Sequence, residues 1–152
     1  MEIRVPYGRT FLALELPDDR VAGVCNPRPM PAASEPQALL QDAIAKAFKD
    51  GVLARKAGAG ATACIAVTDR TRSTPNQAIV PILLDQLNGL GVADSRISVI
   101  SGGGMHAPDD PQELTKNVGR TVMERVEVLT NEPDNEEVMV SMGETALGTP
   151  VE

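Results

Sequence analysis

The fold of this chain is constrained most by two short apolar runs. Each run is followed by a loop of polar or glycine residues and then by an amphipathic run. Residues 62–67 and 96–100 are rich in aliphatic side chains and predict buried β-strands, whereas residues 76–90 carry apolar side chains at helical spacing. Strands that alternate with helices predict a mainly parallel sheet with right-handed crossovers. Because parallel strands end at the same edge of a sheet, we expect the two loops to meet where open α/β sheets bind ligands.

The remaining segments complete the predicted fold class, which is α/β, with a mainly parallel sheet covered by helices and an amino-terminal β-hairpin. Residues 2–6 and 10–16 flank a short turn and predict the hairpin. Two further strands are predicted at residues 126–130 and 137–142. We expect residues 1–152 to form a single α/β domain, the amino-terminal domain of a longer chain truncated after Glu152.

Helix starts are predicted from capping residues. Ser34 with Gln37, and Thr74 with Gln77, have the spacing of a capping box, and Pro75 suits a first helical position. The helix after Pro75 is expected to bury a stripe made of Ile79, Leu83, Leu87 and Leu90. A third helix is expected to begin at a cluster of start signals, namely Asp110, Pro111 and Glu113.

The composition argues against some classes of function. The formal net charge is −7, so neither nucleic acid nor an anionic membrane surface attracts the chain as a whole. No apolar run is long enough to cross a bilayer, and the first residues lack a signal-peptide pattern, so we expect a cytoplasmic location. Cys25 and Cys64 lack metal-ligand spacing, so no metal site is predicted, and Cys64 is expected to be a reduced, buried thiol.

The loop after residues 62–67 carries the densest set of candidate ligand contacts, namely Asp69, Arg70, Thr71, Arg72 and Thr74. Such groups must be solvated, paired or bound to a ligand, and the helix start behind them favours an anion. Arg70 and Arg72 are two residues apart, so one is expected to face the ligand while the other pairs with a carboxylate. The sequence leaves open which does so. Asp69 is expected either to orient an arginine or a ligand hydroxyl, or to cap the turn.

The loop after residues 96–100 contains three glycines followed by His106, the only histidine in the chain. Gly103 and Gly104 are expected to let the backbone approach a ligand or a neighbouring segment, or else to form a tight turn. The spacing Gly-x-Gly-x-x-Ala resembles a dinucleotide fingerprint, but two aspartates stand where a pyrophosphate would bind, so we reject that interpretation. His106 is predicted to act as an acid or base on a small anionic ligand.

These motifs resemble a known family, the amino-terminal domain of the nickel-dependent lactate racemases. The resemblance covers nearly the whole chain and rests on Val-Thr-Asp-Arg-Thr-Arg-Ser-Thr-Pro at residues 67–75, Ile-Val-Pro-Ile-Leu-Leu at residues 79–84 and Gly-Met-His-Ala-Pro at residues 104–108. Tyr7-Gly8 and residues 147–150 also fit. Arg70 and Ser73 depart from the family pattern, which leaves the particular 2-hydroxy acid open.

The resemblance implies a racemase or epimerase of 2-hydroxy acids. In that family a nickel pincer nucleotide accepts a hydride from the substrate's α-carbon and returns it to either face, while histidines transfer the hydroxyl proton. His106 matches one of two acid/base histidines, and Asp69 and Arg72 match an Asp-x-Thr-Arg motif that lines the cofactor and substrate site. Thr71 and Thr74 are weaker candidates for this site.

The resemblance also implies what this segment lacks. The family's cofactor-attaching lysine, nickel-ligand histidine and second catalytic histidine lie in a region beyond Glu152, so the cofactor is expected to be attached outside this segment. The implied partners are a small anionic 2-hydroxy acid and the carboxy-terminal domain of the same chain. The segment alone is expected to be inactive.

The alternative function is a non-catalytic anion- or nucleotide-binding module. No nucleophile elbow, nearby cysteine or second histidine accompanies His106 in the sequence. A reading frame that continues past Glu152 and encodes the missing lysine and histidines would favour the enzyme. A stop codon at that point would favour the binding module.

Overall fold

The predicted amino-terminal hairpin is present. In the computed structural model, which describes residues 1–51 and 55–151, β1 (Glu2–Tyr7) pairs antiparallel with β2 (Thr10–Glu15). Gly8 has φ +59°, a backbone conformation that glycine adopts without strain, and so makes the tight turn between them. The hairpin belongs to the first of two compact units, Met1–Ala33 and Ser34–Glu152. Single-domain organisation stays a prediction.

The second unit is built on a parallel sheet, as the sequence predicted. Its three strands hydrogen-bond in the order β3-β4-β5, and both neighbouring pairs are parallel. The elements of this unit are α1 (Pro36–Asp50), β3 (Ala63–Thr68), α2 (Asn76–Gly89), a 3₁₀ turn (Asp94–Arg96), β4 (Ile97–Gly102), α3 (Pro111–Val118), α4 (Arg120–Arg125), β5 (Glu127–Thr130), β6 (Gly143–Glu144) and β7 (Pro150–Val151).

The core lies between one face of this sheet and the helices. Val99 from the central strand and Leu84 from α2 are fully buried, and they pack in one cluster with side chains from α1, α3 and α4. Side chains alternate across a strand, so the neighbours of the core residues point to the other face. Cys64 on β3 and Leu129 on β5 are exposed there. Burial of aliphatic side chains on a single face is therefore the main stabilising interaction of the second unit.

Two of the three predicted helix starts are wrong in their capping residues, and the third is correct. The α1 helix begins at Pro36 without a side-chain cap, so the capping box at Ser34 and Gln37 is not formed. The α2 helix begins at Asn76 with Pro75 as its cap, so Thr74 is not the N-cap, because the Asn76 side chain turns back to the end of β3. The α3 helix begins where the sequence predicted, and Asp110 and Glu113 form a capping box at its start.

Burial along α2 also differs from the predicted stripe. Leu87 is buried as predicted, whereas Ile79, Leu83 and Leu90 are only partly buried. The helix contacts α1, α3 and α4 as well as covering the sheet, so its buried surface is wider than one stripe. The other buried aliphatic positions are Val80, Ile82 and Leu84.

Two further predictions are wrong. Residues 137–142 do not form a strand, and Val138 and Val140 are exposed, since the Met142 N–H pairs with the Val151 carbonyl beside the β6–β7 hairpin instead. Cys64 is not buried, because β3 is an edge strand and the thiol lies on the face away from the helices. Cys64 and Cys25 are both free cysteines. None of the helices in the described ranges is long and apolar enough to span a bilayer.

We predict that Leu84→Ala lowers the free energy of unfolding by about 2–5 kcal/mol, because it removes a fully buried side chain and leaves a cavity in the core. Leu147→Ala is the matched control. Leu147 is 94% exposed, so its truncation should change stability by less than about 0.5 kcal/mol. Urea unfolding followed by circular dichroism measures both. Equal losses in the two variants would contradict the proposed location of the core.

Candidate functional site

The two candidate loops begin side by side at one edge of the sheet. Thr68, the last residue of β3, pairs with Gly102, the last residue of β4, in a parallel register. Loop 1 (residues 69–75) and loop 2 (residues 103–110) therefore leave the carboxyl ends of neighbouring strands, as the sequence predicted.

Asp69 and His106 join the two loops. The His106 Nδ1 atom lies 2.6 Å from Asp69 Oδ2, and the Thr71 hydroxyl donates to Asp69 Oδ1 at 2.8 Å. Asp69 is buried, while the His106 side chain is about half exposed. Two hydrogen bonds hold the pKa of Asp69 below its usual range, and the one from His106 has a larger effect than the one from Thr71.

This contact determines which nitrogen of His106 is free. An ionised carboxylate only accepts hydrogen bonds, so a neutral imidazole must donate from Nδ1 to Asp69. The Nε2 atom then keeps its lone pair and can accept a proton. A half-exposed histidine whose tautomer is fixed by an aspartate is chemically able to accept a proton at Nε2.

Arg70 contacts carboxylates of the second loop and of α3. One of its terminal nitrogens bonds Asp109, and its Nε lies 3.3 Å from Glu113 Oε1. The Asp109 side chain is almost fully buried and also accepts a hydrogen bond from the Ser101 hydroxyl at 3.0 Å. The bond to Asp109 raises the pKa of Arg70, so its charge is both permanent and paired. Arg70 is thus the arginine of loop 1 that pairs with carboxylates.

Arg72 and Thr74 line a cavity of about 480 Å³ between loop 1, the start of α2 and the end of α3. Arg70, Lys116 and Gln77 also contribute to its walls, and His106 is not part of its lining. The lining contains no carboxylate among the residues that the structure describes, so Arg72 and Lys116 give the cavity a positive charge. The structure therefore separates a histidine–aspartate pair from a neighbouring cationic cavity.

Two asparagines that the sequence analysis did not single out form the inner wall of this cavity. Asn76 and Asn117 both donate side-chain N–H groups to the Thr68 carbonyl, at 3.0 and 2.9 Å, and Asn76 also donates to Asn117 Oδ1. These bonds satisfy the last carbonyl of β3 and connect it to α2 and α3. No local sequence pattern signals them, because the two asparagines are 41 residues apart.

The glycines of loop 2 are held by Asn131, which follows β5. The Gly103 N–H donates to Asn131 Oδ1 at 2.7 Å, and the Asn131 side chain donates to the Gly104 carbonyl at 3.3 Å. Gly104 has φ +58°, a conformation that favours glycine. The His106 N–H donates to the Gly103 carbonyl, so these residues form the turn that presents the imidazole. A direct contact of Gly103 or Gly104 with a ligand stays a prediction.

The described residues do not bring together a metal site. Across residues 1–51 and 55–151, no group of three or more histidine, cysteine, aspartate or glutamate side chains is close enough to hold a metal ion. Asp69 and His106 are paired with each other, and Asp109 is paired with Arg70.

The geometry defines an α/β domain whose paired loops present a histidine–aspartate pair beside a cationic cavity. The chain belongs to the family described as the lactate racemase N-terminal domain, which matches residues 7–152. A lactate racemase from Thermoanaerobacterium thermosaccharolyticum is 24% identical over 99% of this chain and 35% of its own length. A lactate racemase from Lactiplantibacillus plantarum is 30% identical over 53% of this chain and 19% of its own length.

Solved structures support the same fold. The lactate racemase apoprotein from Thermoanaerobacterium thermosaccharolyticum superposes with a TM-score of 0.71 at 22% identity, over 99% of this chain and 34% of that one. A protein from Thermotoga maritima superposes with a TM-score of 0.56 at 19% identity, over 72% of this chain and 24% of that one. The chain spans about a third of the length of the Thermoanaerobacterium relative.

We predict that Asp69→Asn makes the stability of the protein less sensitive to acid. Because the pKa of Asp69 is lowered on folding, its contribution is complete above the unfolded carboxylate pKa of about 3.9 and is lost as the pH falls through the folded value. Urea midpoints measured between about pH 7 and pH 3 should therefore fall less in the variant than in the wild type.

The exposed Asp42 of α1 provides the control for that comparison. Asp42→Asn removes a carboxylate outside the Asp69–His106 pair and should keep the wild-type acid dependence. An Asp69→Asn profile that parallels the wild type would show that the contact with His106 is not formed in solution.

Proposed function

We propose that this chain is the amino-terminal domain of a racemase or epimerase of 2-hydroxy acids and that it supplies His106 as an acid/base group. The observation that carries the proposal is the 2.6 Å contact between His106 Nδ1 and the buried Asp69 carboxylate. Membership of the lactate racemase N-terminal domain family supports the reaction class. The location is proposed to be cytoplasmic.

His106 is proposed to exchange a proton with the substrate hydroxyl. In the neutral ring, Asp69 accepts from Nδ1 and leaves Nε2 as the base, and in the protonated ring the same carboxylate stabilises the positive charge. One residue can therefore accept the proton in one direction of a racemisation and return it in the other. Thr71 supports this role, because its hydroxyl donates to the second oxygen of Asp69.

Arg72 is proposed to bind the carboxylate of the substrate or another anionic group. Its loop neighbour Arg70 lines the same cavity but is neutralised by Asp109 and Glu113, whereas Arg72 and Lys116 line it without a carboxylate partner among the residues that the structure describes. Guanidinium groups bind carboxylates through two parallel hydrogen bonds, which fixes the orientation of a small anion. Thr74 is a further candidate from the cavity wall, and Gly103 and Gly104 are candidates through their closeness to His106.

The proposed cofactor is the nickel pincer nucleotide that the family resemblance implies. The described residues do not fit a nickel ion, since they offer no cluster of metal ligands, and the roles proposed for them are limited to proton transfer and anion binding. We propose that the cofactor is attached outside this segment, in a carboxy-terminal domain that acts as partner to this one. The Thermoanaerobacterium relative is about three times as long as the chain, which is consistent with such a partner.

A second candidate function is a non-catalytic anion- or nucleotide-binding module. The cationic cavity favours it, because Arg72 and Lys116 line the cavity while His106 does not. The two functions differ in their need for His106, because the enzyme requires this residue and anion binding does not.

We predict that His106→Asn lowers kcat of the complete, cofactor-loaded protein by roughly 10²–10⁴-fold, as expected when a general acid/base is removed. Asparagine retains a polar side chain without a proton-transfer group in this pH range. Chiral chromatography of D- and L-2-hydroxy acids follows the reaction, with cofactor content measured in each variant. The 152-residue chain alone is the negative control and should be inactive. Wild-type turnover by His106→Asn would leave the binding module as the better proposal.

We predict that Arg72→Ala weakens binding of the anionic substrate by about 1.5–3 kcal/mol, because it removes a charge-assisted hydrogen bond. The expected change is a rise in KM of roughly 10- to 150-fold. Lys46→Ala removes a cation from α1, outside the cavity, and serves as the matched control. If both variants shifted KM equally, the effect would come from net charge and not from the cavity.

A further inference from the structure

Loops 1 and 2 are joined by two charged contacts that run in opposite directions. Asp69 of loop 1 contacts His106 of loop 2, and Arg70 of loop 1 contacts Asp109 of loop 2. The acidic partner lies on loop 1 in the first contact and on loop 2 in the second. Adjacent residues of one loop therefore hold two points of the other loop that are three residues apart.

Asp109 is the fixed point of this arrangement. Its carboxylate is almost fully buried and accepts a hydrogen bond from the hydroxyl of Ser101 on β4, while its backbone N–H donates to the hydroxyl of Thr130 on β5. A buried carboxylate without a cation is strongly disfavoured, so Arg70 is required for Asp109 to stay in place. Arg70 thus attaches loop 1 to a point that two strands of the sheet hold.

The link from Asp109 back to His106 is short and partly rigid. Only Ala107 and Pro108 separate them, and the pyrrolidine ring fixes φ of Pro108. On the other side of His106, the glycine turn is held by Asn131. The position of the imidazole therefore depends on Asp109 through this short connection as well as on the glycine turn.

We infer that Arg70 and Asp109 are positioning residues, which hold His106 against Asp69 and so maintain the Nδ1–H tautomer of the imidazole. Arg70 also lines the cavity, but Asp109 and Glu113 already match its charge, so it holds loop 2 instead of binding an anion. The effect on turnover rests on the proposed function of His106, whereas the effect on the tautomer does not.

The test uses the complete protein with nitrogen-15 in its histidine rings, and the signals of His106 are identified by their loss in His106→Asn. Wild-type protein should show one tautomer, protonated at Nδ1. Arg70→Met and Asp109→Asn should both show averaging between the two tautomers. Both should also lower kcat by about 10- to 100-fold with KM nearly unchanged, the scale expected when a reacting group is displaced. Arg70→Lys, which keeps the charge, should recover much of both properties.

Arg125→Met is the matched control. Arg125 makes a comparable ion pair with Asp94, which precedes β4 at the opposite edge of the sheet from loops 1 and 2. Its loss should lower stability without changing the tautomer of His106 or kcat. If Arg70→Met does not fold, Arg70→Gln, which keeps a donor without the charge, replaces it with the same two measurements.

Two results would overturn the inference. One is a wild-type tautomer and kcat in both Arg70→Met and Asp109→Asn. The other is a rise in KM alone in Arg70→Met, which would make Arg70 a substrate ligand. A tautomer that depends on Arg70 in a protein whose turnover survives His106→Asn would support the positioning role and reject the proposed function.

Discussion

Two buried carboxylates lie at the carboxyl edge of the sheet, and each is paired with a side chain of the opposite loop. These two contacts organise the candidate site. Asp69 and Asp109 are both buried, and a buried carboxylate requires a cation or several hydrogen-bond donors. Each contacts a nitrogen of the opposite loop, from His106 or from Arg70, so the conformations of the two loops depend on each other. The same electrostatic requirement therefore shapes both loops and distinguishes the two arginines of the cavity wall, since Arg70 is paired with carboxylates, whereas no ion pair of Arg72 is found among the described residues.

The sequence predicted the local order of elements well, because periodicity and glycine positions determine it. The hairpin, the three parallel strands and the helix start at Asp110 were all correctly predicted. Helix starts that depend on longer-range bonds were not. The side chain of Asn76 bonds the end of β3 and Asn117, and no pattern within a few residues signals such contacts.

The sequence predicted where the candidate site lies but not which side chains contact one another there. The parallel strands placed both loops at one edge, as their order in the chain required. Which arginine is paired could not be predicted, because the carboxylate that pairs with Arg70 lies 39 residues further along the chain. Asp109 itself was interpreted only as a residue that would repel a pyrophosphate. Its burial against Ser101 is a tertiary contact and leaves no sequence signature.

The side chains of Asn76 and Asn117 complete the hydrogen bonding at the end of β3, so the loop that follows does not have to do so. Because α2 and α3 satisfy the end of β3, residues from Ser73 to Pro75 have no part in completing the strand. Their side chains are exposed and lie outside the core cluster. Thr74 lies in the cavity wall, so under the proposed function directed evolution could exchange this side chain and select for a different anion without rebuilding the scaffold.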